Sequence, residues 1–379
     1  MKLPIYLDYN ATTPVAPEVV DAMLPFLHEH FGNPSSTHPY GCFAAQAVAE
    51  ARNHVAALIG ARAQEIVFTG CATEANNLAL LGVARALGDT KHHLVISAIE
   101  HPSVMAPAKH LQEEGWKLTV APVDGFGQVS PNDIARALQA DTALVSIMHA
   151  NNEIGTIQPI REIAQLTRER GVLLHTDAAQ SVGKIAVDVD ALGVDLLTLA
   201  GHKFNAPKGI GALYVRTGTP IHPVLYGADQ EYALRPGTEN VPAIVGLGAA
   251  ATLARERLLE VTARLHSLRD RLHTLLSDAI PGLMLNGHPG ERLPNTLHVS
   301  FPGVTGRVLL QEVSAFVAAS LGSACHSEND AVSGVLAAMS IDFTRASGAV
   351  RLSVGATTSD DDISHAASRL IAAWRHLSR

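Results

Sequence analysis

The chain has 379 residues, which at roughly 150 residues per domain predicts two or three domains and room for a substantial apolar core. Hydrophobic residues make up 47% and charged residues 17%, a balance that excludes disorder over the bulk of the length. Lys plus Arg number 28 against 36 Asp plus Glu, and the net charge of −8 lacks the basic excess that a direct nucleic-acid footprint needs. Three cysteines, Cys42, Cys71 and Cys325, lie far apart with no CxxC or CxxH spacing. Neither a disulfide framework nor a metal site is expected, and a reducing, cytoplasmic setting is.

In chain order, residues 1–8 carry Pro4 and Asp8 where a signal peptide needs an unbroken apolar run. From about residue 60 to 215, short apolar or β-branched runs alternate with helical-period segments, the pattern of a parallel sheet covered by helices. Strands are expected at 66–69, 94–98, 118–121, 143–148, 172–176, 196–199 and 212–215, with helices at 74–87, 104–114, 131–138 and 160–170 between them. After Pro242, Leu258, Val261, Leu265, Leu268, Leu272 and Leu275 recur at steps of three and four, predicting a long helix whose Arg255, Glu256, Glu260, Arg264 and Arg269 face solvent. The weakly polar run 241–254 falls short of the roughly 20 residues of a bilayer span, so no membrane partner is expected. Beyond Pro281-Gly282, alternating segments at 296–301 and 350–354 with helices around them suggest a smaller α+β domain. The expected fold is α/β: a large domain with a mostly parallel sheet flanked by helices, spanning 15–255, and a small α+β domain formed by 1–14 and 256–379.

Ligands of open parallel sheets bind beyond the carboxyl ends of the strands, and those positions are unusually polar here. They hold Thr73-Glu74, Glu100-His101, Asn151-Asn152-Glu153, Asp177 with Gln180, and His202-Lys203. Each has an ordinary explanation: Asp177 and Thr73 suit helix caps and Asn152 suits a turn. Lys203 is harder to dismiss, because it follows an apolar strand, where an ammonium costs several kcal/mol unless it is paired or used as an amine nucleophile. Desolvation lowers such a lysine toward neutrality, as Schiff-base chemistry requires.

A lysine of this kind with an aspartate meets the needs of pyridoxal 5'-phosphate (PLP), whose pyridine nitrogen must stay protonated beside a carboxylate such as Asp177. The phosphate needs a helix N-terminus and a hydroxyl, which Gly70-Cys71-Ala72-Thr73-Glu74 offers, making Ala72 and Thr73 candidate phosphate ligands. No Walker A motif or G-x-G-x-x-G pattern competes for a nucleotide.

These residues sit in segments that resemble the cysteine desulfurases, PLP enzymes of fold type I related to class V aminotransferases. The matching strings are Tyr6-Leu7-Asp8-Tyr9-Asn10-Ala11-Thr12-Thr13-Pro14, Ala72-Thr73-Glu74-Ala75-Asn76-Asn77, Glu100-His101-Pro102, His149-Ala150-Asn151-Asn152-Glu153, His175-Thr176-Asp177-Ala178-Ala179-Gln180 and Gly201-His202-Lys203. Gly32-Asn33-Pro34-Ser35-Ser36, Arg235-Pro236-Gly237-Thr238-Glu239-Asn240 and Gly322-Ser323-Ala324-Cys325 complete a series that runs in order over nearly the whole chain. The resemblance implies that Lys203 binds the cofactor covalently, Asp177 pairs with its pyridinium, Gln180 reaches its phenolic oxygen and His101 stacks on its ring and moves protons. Thr73, His202 and, from the partner subunit of a homodimer, Thr238 would hold the phosphate. Asn152 and Arg351 would receive the substrate carboxylate, with Asn10 in the same pocket and Asn152 also near the cofactor.

Cys325 lies in a stretch, 322–330, rich in small and polar residues, and the resemblance makes it the nucleophile that takes sulfur from L-cysteine as a persulfide, leaving L-alanine. A protein acceptor would then receive the sulfur, for example an iron–sulfur cluster assembly scaffold or a tRNA-modifying protein. The sequence departs from the pattern at Ala200, where many relatives have a phosphate-bonding serine, at Ala228-Asp229, at Ile154 and at Cys71, read as a small packing residue. His326-Ser327-Glu328-Asn329-Asp330 is closer to the selenocysteine lyases, which makes selenium release from L-selenocysteine the nearest alternative. A catalytically idle sulfur-transfer scaffold is a third reading, opposed by the joint presence of Lys203, Asp177, His101 and Cys325.

Overall fold

The computed structural model describes residues 3–322 and 333–379. Cys325 and the divergent run 326–330 lie outside the described residues. The chain opens with β1 (Ile5–Tyr6), α1 (Pro17–His28) and α2 (Pro39–Leu58). An alternating run follows: β2 (Ile66–Thr69), α3 (Ala72–Leu87), β3 (His93–Ser97), α4 (Pro102–Glu113), β4 (Lys117–Ala121), α5 (Pro131–Ala137), β5 (Thr142–Ser146), α6 (Ile160–Glu169), β6 (Leu173–Asp177), α7 (Val189–Leu192), β7 (Leu196–Ala200) and β8 (Gly211–Val215). Helix α8 (Val241–Ala279) leads into β9 (Met284–Leu285), β10 (Thr296–Ser300), α9 (Gly306–Val313) and β11 (Val317–Ala318). The last elements are α10 (Gly334–Ala338), α11 (Phe343–Ser347), β12 (Ala349–Ser353) and α12 (Asp360–Leu377).

The seven expected strands form one sheet in the order β2-β8-β7-β6-β5-β3-β4. Only β8 runs against its neighbours β2 and β7; the other pairings are parallel. Every residue of β2, β3, β5 and β7 is buried, as strands covered on both faces must be. Period-two alternation divides their side chains: Val95, Val145, Leu174 and Leu197 pack with α1, α2, α6 and the first part of α8, while Leu94, Ile96, Leu144 and Leu196 pack with α3 and α4. The sheet is therefore the mostly parallel, helix-flanked one expected, and the ends of β3, β5, β6 and β7 open on one edge.

Helix α8 joins this core to a second one. Its first half lies so close to α2 that a Cβ on Gly248 would fall 2.7 Å from Ala51. Its second half supplies Leu265, Leu268, Leu272 and Leu276 to a cluster with Leu297, Val299, Val350, Leu352, Ile363 and Leu370. That cluster covers the antiparallel sheet β12-β10-β9 and is joined by Leu7 from the N-terminal segment. Two readings of this helix need correction. Leu276, not Leu275, is fully buried, and Arg269, expected in solvent, is 3% exposed because its Nη1 donates to the Leu293 carbonyl at 2.9 Å. Cys71 also departs from expectation: it is exposed at the N-cap of α3, where the chain leaves the sheet edge in an extended conformation.

Candidate active site

Strand β7 ends at Ala200 and the chain turns through a single 3-10 turn, Gly201–Lys203. The Lys203 Nζ donates to the carbonyls of Asn10 at 2.6 Å and Ala11 at 2.9 Å. Burial, helped by the nearby Arg351 guanidinium, pushes the Lys203 pKa down to about 8. About a tenth of the amine is thus neutral at pH 7, far more than for an ordinary lysine, and this is what an amine nucleophile needs.

Asp177 closes strand β6, next to β7 in the sheet. Its Oδ1 accepts from the Ala179 N–H at 2.9 Å and its Oδ2 from Asn76 Nδ2 at 2.8 Å. The same Asn76 nitrogen donates to Ser103 Oγ at 2.8 Å, and that hydroxyl lies 2.7 Å from His101 Nδ1. The Ser103 N–H also donates to His101 Nδ1 at 3.1 Å, so Nδ1 is an acceptor and the ring proton sits on Nε2. Burial and the charge of Lys203 hold His101 below its usual pKa against the pull of Asp177. One chain of hydrogen bonds therefore sets both the carboxylate and the imidazole tautomer.

Asn10 is the hub on the opposite side. Its carbonyl accepts from Lys203 and from Gln180 Nε2 (3.0 Å), its Nδ2 donates to Thr296 Oγ1 (2.8 Å) and the Asn152 carbonyl (3.2 Å), and its Oδ1 accepts from Asn295 (2.9 Å). The side chain is 1% exposed and wholly committed to protein partners. Arg351, on β12, donates from Nη1 to the Asn152 carbonyl at 2.9 Å and from Nη2 to Asp8 at 2.7 Å. Its buried Nε has no partner among the described residues.

At the phosphate end, Thr73 is exposed in the first turn of α3, a helix with no side-chain cap of its own. Gly211 lets β8 pass beneath this N-terminus: a Cβ there would lie 2.8 Å from the Leu199 carbonyl, 3.0 Å from Cys71 and 3.1 Å from the Ala72 nitrogen. His202 Nδ1 lies 3.1 Å from Thr12 Oγ1, and burial with three nearby lysines lowers its pKa to about 4. Thr238 is exposed and makes no side-chain hydrogen bond among the described residues; its loop is tied to α3 by Arg235 Nε donating to Glu74 Oε1 at 2.8 Å.

The donor set fits PLP. A desolvated amine, a buried carboxylate, a neutral imidazole and an uncapped helix N-terminus match an aldehyde, a pyridinium, a ring face and a phosphate. The structure thus gathers Lys203, Asp177, Gln180, His101, Asn10, Asn152 and Arg351 at one place, with Ala72, Thr73 and His202 at the sheet edge beside it. Sequence reasoning missed Asp8, Asn76, Ser103 and Lys184. The first two stood inside quoted strings, and Lys184 follows Gln180 by four residues, but only folding makes them partners.

Comparisons with known proteins identify the family. The Aminotransferase class-V family matches residues 5–365. A protein of Dictyoglomus turgidum named "Cysteine desulfurase IscS" is 46% identical over 366 residues, covering 96% of this chain and 93% of the relative. A solved "NIFS-LIKE PROTEIN" superimposes with a TM-score of 0.92 at 36% identity over 100% of both chains. Another, titled "SspA in complex with cysteine", gives 0.84 at 35% identity over 92% of this chain and 98% of its own. The family implies PLP as cofactor. The chain thus belongs to the cysteine desulfurases of the class V aminotransferase family.

Proposed function

We propose that the chain takes sulfur from L-cysteine, with the cofactor bound to Lys203, and passes it to an acceptor protein by way of Cys325. The observation that carries the reading is the half-buried Lys203 amine, bonded to two carbonyls and to no carboxylate among the described residues, and shifted to a pKa of about 8 beside Asp177 and His101. Cysteine desulfurase relatives and the cysteine in a solved relative favour L-cysteine as substrate, and the selenocysteine lyase alternative is not favoured.

Lys203 would hold the cofactor, Asp177 its ring nitrogen, Gln180 its phenolic oxygen and His101 its face. Ala72, Thr73 and His202 would hold its phosphate, joined by Thr238 from the partner subunit. When bound, PLP stores the electron pair left when the substrate α-proton departs. The substrate carboxylate is received by Arg351, whose Nε is unpaired among the described residues, and by Asn152; Asn10 braces this pocket. Lys203, freed by the incoming amine, removes the α-proton. Cys325 thiolate then attacks the substrate sulfur: the S–S bond forms and the C–S bond breaks with its electron pair going to carbon, so the sulfur is oxidised to persulfide level while the carbon is reduced, takes up a proton and is released as alanine.

Thr238, exposed in the single chain, supports a homodimer, as do exposed Leu24 and Leu27 on α1, Phe31 in the connection that follows, and Tyr40 and Phe43 on α2. The two separate apolar clusters support the division into 15–255 and 1–14 with 256–379. None of the helices among the described residues is long and apolar enough to cross a membrane, and a cytoplasmic location is part of the proposal. Incubating the PLP-loaded enzyme with L-cysteine and analysing it by mass spectrometry tests the reading. Alanine release with one extra sulfur on Cys325 is expected; keto-acid product, or sulfur absent from Cys325, overturns it.

A further inference from the structure

Lys184 is a second lysine of the site, with no part in the chemistry above. Its side chain is 5% exposed, and its Nζ donates to Gln180 Oε1 at 2.9 Å and to Asn10 Oδ1 at 3.3 Å. No carboxylate contacts it among the described residues. Burial, with Lys203 and Arg351 nearby, drives its pKa well down, so an uncharged amine accounts for its place there.

The direction of the Gln180 amide is the consequence. Its Nε2 donates to the Asn10 carbonyl at 3.0 Å, the same oxygen that receives Lys203 Nζ. A flipped amide would set Oε1 against that carbonyl, two acceptors face to face, and would turn its NH2 toward Lys184. With one N–H held by Asn10 Oδ1, itself fixed by Asn295, Lys184 presents a second N–H to Gln180 Oε1, and this donor together with the acceptor carbonyl of Asn10 favours the unflipped amide. The second Nε2 proton has no partner among the described residues and remains available to a ligand. The turn holding Lys184 is itself braced, since the Lys184 carbonyl accepts from Thr262 on α8 at 2.8 Å and Gly183 packs against Phe204 with a φ of +78°.

We propose that Lys184 is a positioning residue that locks the Gln180 amide with its nitrogen toward the phenolic oxygen of the bound cofactor. The inference rests on the PLP reading above and deepens it. A donor to the phenolic oxygen favours its deprotonated form, so losing the lock makes the cofactor hold its proton more tightly.

The test is a double-mutant cycle on the holoenzyme, reading the pH titration of the bound cofactor's absorption band and the PLP dissociation constant. Lys184→Met is expected to raise the midpoint by about one pH unit and to weaken PLP binding about tenfold, the size of one lost hydrogen bond to a charged group. In a Gln180→Ala background the same change is expected to move neither quantity further. An unchanged midpoint in Lys184→Met, or an equal shift in both backgrounds, overturns the proposal. Should Lys184→Met not fold, Lys184→Leu carries the same comparison under the same criteria. A parent enzyme with no PLP band at all would instead overturn the cofactor reading on which this one stands.

Discussion

Lys203 and Glu100 show how burial sets the chemistry of single groups here. With its pKa lowered to about 8, the Lys203 amine becomes the neutral nucleophile as pH rises. The rate at which apo-enzyme captures PLP is therefore expected to climb about tenfold per unit below that value and to level off above it; stopped-flow absorbance measures this, and a pH-independent rate contradicts it. Glu100 is buried with a pKa raised to about 8, its Oε1 bonded to Ser97 Oγ at 2.5 Å and to the Met148 N–H at 2.9 Å. The folded state keeps this proton while the unfolded chain loses it above about pH 4.5, so stability falls as pH rises from there to about 8. Buried His149, His175 and His298, with pKa values of about 4, 3 and 3, act oppositely: below about pH 6.5 the unfolded chain binds protons that the folded one refuses. Stability should therefore peak near pH 7, where the three histidine contributions have fallen to the size of the single carboxyl one, and Glu100→Gln should flatten the alkaline side; denaturant melts at pH 7 and pH 8 separate parent from variant. The sequence displayed Glu100 as a strand-end carboxylate, but nothing in it told that the side chain turns inward while His101 turns to the site.

At the scale of elements, the inner strands were legible because β3, β5 and β7 are buried on both faces and are rich in apolar residues between turn residues, while β4, at the sheet edge, is partly exposed. Helix α8 was less so, because its two halves pack against different cores and no single stripe describes both. Arg269 was misplaced for a related reason: a guanidinium enters a core when a backbone carbonyl waits for it, and the Leu293 carbonyl is 24 residues away in the chain. The junction that bears on the proposed phosphate site is β8 under the N-terminus of α3. Gly211→Ala should destabilise the fold by about 1–3 kcal/mol, since its three close neighbours are all backbone atoms. Displacing the helix N-terminus should weaken PLP retention as well; a variant that melts like the parent and holds PLP equally well would show that this approach can relax.

Across the whole molecule, the N-terminal segment stitches the two cores through the site: Leu7 packs with the second cluster, Asp8 pairs with Arg351, and Asn10 receives Lys203. Arg351 in turn comes from β12, on the far side of the chain from β7. Because a lysine cannot keep two fixed donor directions, Arg351→Lys is expected to raise KM for L-cysteine by about 10- to 100-fold with a smaller change in kcat. Steady-state alanine release checks this, and an unchanged KM would remove the substrate carboxylate from Arg351. The sequence by itself determined the sheet, the cofactor chemistry and the ordered motifs, because apolar periodicity and the residue types at strand ends are local properties. Tertiary structure alone decided which polar groups share hydrogen bonds: Asn76 with Asp177, Asp8 with Arg351, and Lys184 with Gln180. A buried donor must find an acceptor wherever folding places one, and for the first two pairs that place lies 101 and 343 residues away.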